Sequence, residues 1–222
     1  MKYYPIFLDI RGKNCLVVGG GPVGARKAVF LEKCGANVKV VSDRFSDSFD
    51  GLKMARLCLE KKEYEKKDVN GMFLVFAATD NADLNRQIKK DASVLNILCN
   101  VADAPDKSDF LLPSTVDRGD LIVAVSTSGS SPAMAKKIRQ DLEQRFGPEY
   151  EKFLILMGNI RNRLLSSGHA PDEHKQLFNA LIDRGILEQI KANDEININL
   201  ILSDVLGKEY RYRDFVSSRG DE

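Results

Sequence analysis

Three observations predict a doubly wound parallel sheet, an α/β fold, for the first half of this 222-residue chain. A short apolar run, Cys15-Leu16-Val17-Val18, stops at Gly19-Gly20-Gly21 and leads into a helix-like stretch. Strand-like and helix-like segments then alternate to about residue 102, the order of βαβ units with helices on both faces. Beyond that point the pattern changes. A hairpin and a long helical part add a small α+β region and a C-terminal helical region to the fold class.

Taken in order, Tyr4–Asp9 reads as a short edge strand before a turn at Arg11-Gly12-Lys13-Asn14. The first βαβ unit spans Cys15–Ser42. Its opening run is apolar and β-branched, as a buried strand requires. After Pro22, the residues Val23, Ala28, Phe30 and Leu31 give a helix with a face for the sheet. Leu57–Leu59 is a third strand, and the charged Lys61–Lys67 is a solvated connection. Met72–Ala77 is a buried strand ending in Ala78-Thr79-Asp80-Asn81, which has the small and capping residues of a helix start. A helix over Asn81–Leu95 and a strand over Ile97–Val101 complete the alternation. Phe110–Pro113 and Leu121–Ser126 then read as two strands of a hairpin linked through Val116-Asp117-Arg118-Gly119-Asp120. Ser131 before Pro132 is a helix N-cap for Ala133–Phe146, with Lys136, Lys137 and Arg139 near that helix's start. Gly147-Pro148 breaks it. From Glu149 the periodicity is helical, interrupted at Ser166-Ser167-Gly168 and Gly185, and Tyr210–Glu222 reads as a charged, disordered tail.

Gly19, Gly21 and Gly24 fit G-x-G-x-x-G with a strand before and a helix after. The first glycine makes the tight turn, the second lets backbone approach a pyrophosphate, and the third packs helix on strand. Pro22 and Val23 complete this loop, and the helix N-terminus attracts the phosphates. A second strand, Asn37–Ser42, ends in Asp43, 19 residues past Gly24, where a carboxylate accepts from an adenosine ribose. The pattern is that of a Rossmann-like dinucleotide fold. Asp43 favours NAD over NADP by repelling a 2′-phosphate, while the adjacent Arg44 works against that preference. Thr79 and Asp80, at the end of another central strand, border the cofactor.

A net charge of +1 gives no electrostatic case for nucleic acid or membrane. No apolar run reaches a membrane span, and Met1-Lys2-Tyr3-Tyr4-Pro5 is unlike a secretory leader; the expected location is cytoplasmic. Cys15, Cys34, Cys58 and Cys99 are scattered without a C-x-x-C pair, so buried reduced thiols are expected. His169 and His174 both fall in the helical part and read as surface or packing residues.

Two further stretches suggest chemistry. Asp103 follows a parallel strand directly, so it belongs to the ligand-binding edge of the sheet. It reads equally as a base that takes a proton as hydride leaves a neighbouring carbon and as a turn-capping residue of Asp-Ala-Pro. The loop Ser126-Thr127-Ser128-Gly129-Ser130-Ser131 combines hydroxyls, glycine backbone and a helix N-terminus. That is either a cradle for substrate carboxylates or a well-capped connection. Arg118 is either a bidentate carboxylate contact or an exposed turn arginine.

Together, Tyr4-Pro5-Ile6-Phe7-Leu8, Val17–Lys27, Ala77-Ala78-Thr79-Asp80, Cys99-Asn100-Val101-Ala102-Asp103, Phe110–Ser114 and Val123–Pro132 resemble the siroheme-synthase N-terminal family of precorrin-2 dehydrogenases and sirohydrochlorin ferrochelatases. From Glu149 onward the resemblance is only in kind. It implies NAD-dependent oxidation of precorrin-2 to sirohydrochlorin, with ferrous iron as a further substrate in members that go on to make siroheme. It also implies that Asp103 is the catalytic carboxylate and a transient iron contact. Substrate contacts then fall to Asn100, Arg118, Ser126, Thr127, Ser128, Gly129 and Ser130. Members are homodimers, which divides the chain into a nucleotide-binding domain (1–113), a dimerisation region (114–147) and a helical domain (148–222). The chain ends at Glu222 without a methyltransferase half, so a separate uroporphyrinogen methyltransferase is expected upstream. Asn14 stands where some relatives carry a histidine, which leaves no evident imidazole for iron. The alternative from another class is a non-catalytic module that senses NAD/NADH through the same glycine loop and binds no tetrapyrrole.

Overall fold

The computed structural model describes residues 2–102, 104–167 and 171–216. The chain divides into two compact units, Met1–Leu112 and Pro113–Glu222.

The first unit is built on five parallel strands: β1 (Asn14–Val18), β2 (Asn37–Ser42), β3 (Leu57–Lys61), β4 (Leu74–Ala77) and β5 (Leu98–Val101). Their order is β3-β2-β1-β4-β5, so the winding reverses between β1 and β4 and opens a crevice at the carboxyl ends of those strands. Register brings Val18 level with both Val41 and Ala77. Alternate strand residues serve opposite faces. Cys15, Val17, Val40 and Phe76 pack under helix α1 (Pro22–Lys33) with Ala25, Ala28 and Leu31. Leu16, Val18, Val75 and Cys99 pack under helix α2 (Ala82–Val94) with Ile88 and Ala92. Short 3-10 turns at Asp47–Phe49 and Lys66–Val69 replace helices in the two remaining crossovers.

The second unit opens with the antiparallel hairpin β6 (Ser114–Arg118) and β7 (Leu121–Val125). Helix α3 (Pro132–Arg145) packs on this hairpin. Helices α4 (Glu149–Ser166), α5 (Pro171–Asp183), α6 (Ile186–Ala192), α7 (Glu195–Leu206) and α8 (Arg213–Val216) follow. Their shared core includes Leu156, Ile160, Leu181, Ile190 and Leu202.

Several expectations need correction. Residues 4–10 form no strand, and Tyr4 and Phe7 are 87% and 72% exposed. The outer edge of β5 is already occupied by side chains, with Cys99 N donating to Asp109 Oδ2 and Val101 N to Ser108 Oγ. The hairpin starts at Ser114 rather than Phe110, because Phe110 packs edge-on against Phe76 in the first unit. Tyr210 and Phe215, assigned to a disordered tail, are buried with Arg163 lying over both rings. Residues 217–222 and His169 lie outside the described residues, and His174 is buried against Phe178. Cys15 and Cys99 are buried free thiols, but Cys34 and Cys58 are exposed. Burial raises the Cys15 and Cys99 thiols to about 11, which keeps them protonated.

The charged connection after β3 is only partly solvated. It wraps Asp68, 3% exposed, which accepts from Lys62 Nζ at 2.9 Å and from the Glu65 amide at 2.9 Å, with Lys39 Nζ at 3.5 Å. Burial works against the Asp68 charge, but the Lys62 and Glu65 hydrogen bonds prevail and hold its carboxyl below the usual range.

Candidate functional site

The crevice between β1 and β4 is lined by the glycine turn. Gly19 takes a φ of +129° and lies against the end of β4. A Cβ there would stand 2.2 Å from Ala78 O. A Cβ at Gly24 would stand 2.0 Å from Gly19 O, so α1 can approach the turn this closely only at a glycine. Gly21 differs, because nothing lies within 4 Å of where its Cβ would be. The open space therefore faces the second glycine of the fingerprint, the position whose backbone meets a pyrophosphate. Helix α1 begins there with Pro22 at its first position, no side-chain cap and no acidic residue in its first turn. An uncapped, positively polarised helix end beside open space fits a diphosphate.

Sequence reasoning passed over Gly20. A Cβ on it would stand 1.9 Å from Arg44 O, and Ser46 N donates to Gly20 O at 2.8 Å. Ser42 Oγ also donates to Arg44 O at 2.7 Å. The loop after β2 is thus fastened to the glycine turn. It presents Asp43 and Arg44 to solvent, with Arg44 Nε 3.6 Å from Asp43 Oδ2. On the other side of the crevice, the 7%-exposed Asn85 holds Thr79. Its Oδ1 accepts from Thr79 N at 3.2 Å and from Thr79 Oγ1 at 2.7 Å, while its Nδ2 donates to Thr79 O at 3.0 Å. Asp80 is exposed beside it. Asn85 gave no sequence signal, since asparagine in a helix is usually a surface residue.

At the end of β5, Asn100 is held at both ends of its amide, by Lys27 Nζ at 3.0 Å and by Phe110 O at 3.0 Å. Asp103 lies outside the described residues. The second unit carries the remaining candidates. Arg118 donates from Nε to Phe146 O at 2.8 Å, from one terminal nitrogen to Glu143 O at 3.2 Å and from the other to Asp117 O at 2.8 Å. This is a cap on the last carbonyls of α3, not an arginine turned outward for a carboxylate. In the hydroxyl loop, Ser126 Oγ accepts from Ser128 N, Thr127 Oγ1 both donates to Ser131 O and accepts from Ser131 N, and Ser131 Oγ accepts from Met134 N. Ser128 and Gly129 take left-handed φ values of 55° and 86°, and Ser128, Gly129 and Ser130 are exposed. Among the described residues, no group of three or more His, Cys, Asp or Glu is placed to hold a metal ion, and no helix is long and apolar enough to cross a membrane.

The first unit is thus a dinucleotide-binding domain by both fold and turn geometry. Comparison with known proteins agrees. The family described as "Putative NAD(P)-binding" matches residues 6–114, and the "Sirohaem biosynthesis protein central" family matches residues 118–145. Siroheme synthase of Nitrosococcus oceani is 35% identical over 196 residues, 88% of this chain and 42% of that protein. Siroheme synthase 2 of Pectobacterium atrosepticum is 39% identical over 165 residues, 74% and 36%. The solved structure titled "SirC, precorrin-2 dehydrogenase" matches 91% of this chain and 98% of that one, with a TM-score of 0.72 at 23% identity, a likeness of fold. The chain is similar to siroheme synthases, and it spans less than half the length of these curated relatives.

Proposed function

We propose that this protein oxidises precorrin-2 to sirohydrochlorin with NAD. The observation that carries the reading is the open, uncapped helix start at Gly21, in a chain similar to siroheme synthases. Bound NAD supplies the hydride acceptor. In this reading the backbone at Gly21–Gly24 receives the diphosphate, and Asp43 accepts from the adenosine ribose and sets the preference for NAD over NADP. Thr79 and Asp80 border the nicotinamide half. Asp103 takes the proton released as hydride leaves the substrate.

The exposed Ser128, Gly129 and Ser130 meet substrate carboxylates. Asn100 and Arg118 serve as scaffold, because their polar atoms are engaged within the protein. Residues 1–113 act as the nucleotide domain, 114–147 as the dimerisation region and 148–222 as the helical domain of a homodimer. One feature supports the dimer: Ile122 on the hairpin and Met134 on α3 are about half exposed. Ferrous iron is a second substrate, inserted into the product while Asp103 accepts pyrrole protons. Free cysteines fit a reducing, cytoplasmic location.

Anaerobic incubation with precorrin-2 and NAD tests the reading. NADH and a sirohydrochlorin spectrum should appear together, and Asp103→Ala should abolish both while still binding NAD. Nucleotide binding with no tetrapyrrole chemistry would instead favour an NAD/NADH sensor. Ferrous iron added afterwards should enter the product faster than it does without protein.

A further inference from the structure

We propose that Lys27 is a positioning residue of this site: through Asn100 it ties the carboxyl end of β5 to the nucleotide helix α1. The inference rests on the dehydrogenase reading above and adds a residue outside the glycine fingerprint.

Lys27 lies in the second turn of α1, three residues past Gly24. Its ammonium crosses 73 residues of sequence to donate to Asn100 Oδ1 at 3.0 Å. It also stands 5.2 Å from the centre of the Phe76 ring, within the range of a cation–π contact. One side chain therefore joins α1, β4 and β5. The amide of Asn100 has a single workable orientation here. An ammonium only donates and a carbonyl only accepts, so the oxygen faces Lys27 and the nitrogen faces Phe110 O at 3.0 Å. Phe110 packs edge-on against Phe76 with ring centres 5.5 Å apart, which closes the cluster. The flanking backbone amides are held too, Cys99 N by Asp109 Oδ2 at 2.8 Å and Val101 N by Ser108 Oγ at 2.9 Å. Three successive residues at the exit of β5 are clamped, and the clamp on Asn100 reaches the helix whose start forms the nucleotide site.

Hydride transfer requires cofactor and proton acceptor in one frame, and a misplacement of about 1 Å costs on the order of 100-fold in rate. Gly24 fixes the start of α1 against the β1 turn. Lys27, one turn on, fixes the same helix to the strand whose chain continues, three residues after Asn100, to Asp103.

The test uses the full chain with Lys27→Met, Lys27→Gln and Lys27→Arg. Lys27→Met should lower kcat for precorrin-2 by about 10- to 100-fold, with NAD affinity by calorimetry changed less than about twofold. Lys27→Arg, which keeps a long cationic donor, should recover most of the rate. Without cofactor or substrate, the Asn100 side-chain amide protons should exchange with water about tenfold faster in Lys27→Met, read by NMR. Wild-type kcat in Lys27→Met, or in Lys27→Gln if the methionine variant does not fold, overturns the inference. So does a loss of NAD affinity with kcat intact. If the wild-type chain binds NAD but oxidises no precorrin-2, the dehydrogenase reading has failed, and the amide measurement alone decides whether Lys27 positions Asn100. Unchanged exchange then refutes the role and faster exchange supports it.

Discussion

Helices α1 and α3 start alike in sequence. Each follows a strand and a loop of small residues, and each has proline at its first helical position. Their structures diverge. At α3 the loop answers its own donors, with Ser131 Oγ accepting from Met134 N and Thr127 closing on Ser131. At α1 no side chain caps the helix, and the space in front of Gly21 is open. Hydroxyls near a helix N-terminus compete with a ligand for the same N–H groups, whereas glycines leave those groups to the ligand. A loop rich in serine is therefore weaker evidence for an anion site than a loop rich in glycine.

The sharpest way to break this contrast is Gly21→Asp. The new side chain meets open space and Gly21 has an ordinary φ of −86°, so the fold should stand, with a thermal midpoint within about 2 °C of wild type. NAD binding should weaken about 100-fold or more, since charge and bulk then occupy the diphosphate position. Unaltered affinity in a calorimetric titration would place the nucleotide elsewhere. Gly20→Ala comes next. Its methyl meets a backbone carbonyl at 1.9 Å, so the loop carrying Asp43 must move. A stability loss of about 1–3 kcal/mol should accompany weaker NAD binding in urea and binding titrations.

Ser131→Ala should cost about 1 kcal/mol through the lost cap on α3 and leave NAD affinity unchanged, because α1 has no such cap to lose. The smallest effect comes in acid below the ordinary aspartate range, and it concerns the first unit. Asp68 has a folded pKa below its unfolded one. Its contribution is complete above the unfolded carboxylate pKa and is lost as pH falls through the folded value. Asp68→Asn should flatten the acid limb of stability against pH, measured by urea unfolding.

Much of the first unit was legible because its signals are local. Glycine spacing, a β-branched run and Asn81 before a helical stretch each act within a few residues, and Asn81 does cap Asp83 N and Leu84 N. Where reading failed, a distant partner decided. Tyr4–Leu8 has strand composition but forms no strand, and the outer edge of β5 is taken by Asp109 and Ser108. Arg118 has the chemistry of a carboxylate clamp, yet α3 turns its carbonyls toward it from 25 to 28 residues away. Tyr210 and Phe215 sit in a charged stretch, but Arg163 on α4 covers both.

The sequence by itself determined the parallel dinucleotide sheet, the glycine turn and the helical second half, because backbone freedom and hydrophobic period are properties of short stretches. Only the tertiary structure decided which polar groups face a ligand and which are spent within the protein. Gly20 against Arg44, Asn85 around Thr79 and Lys27 on Asn100 are pairings across strands and helices. No local spacing encodes them, since they exist only after the sheet has brought its carboxyl ends level.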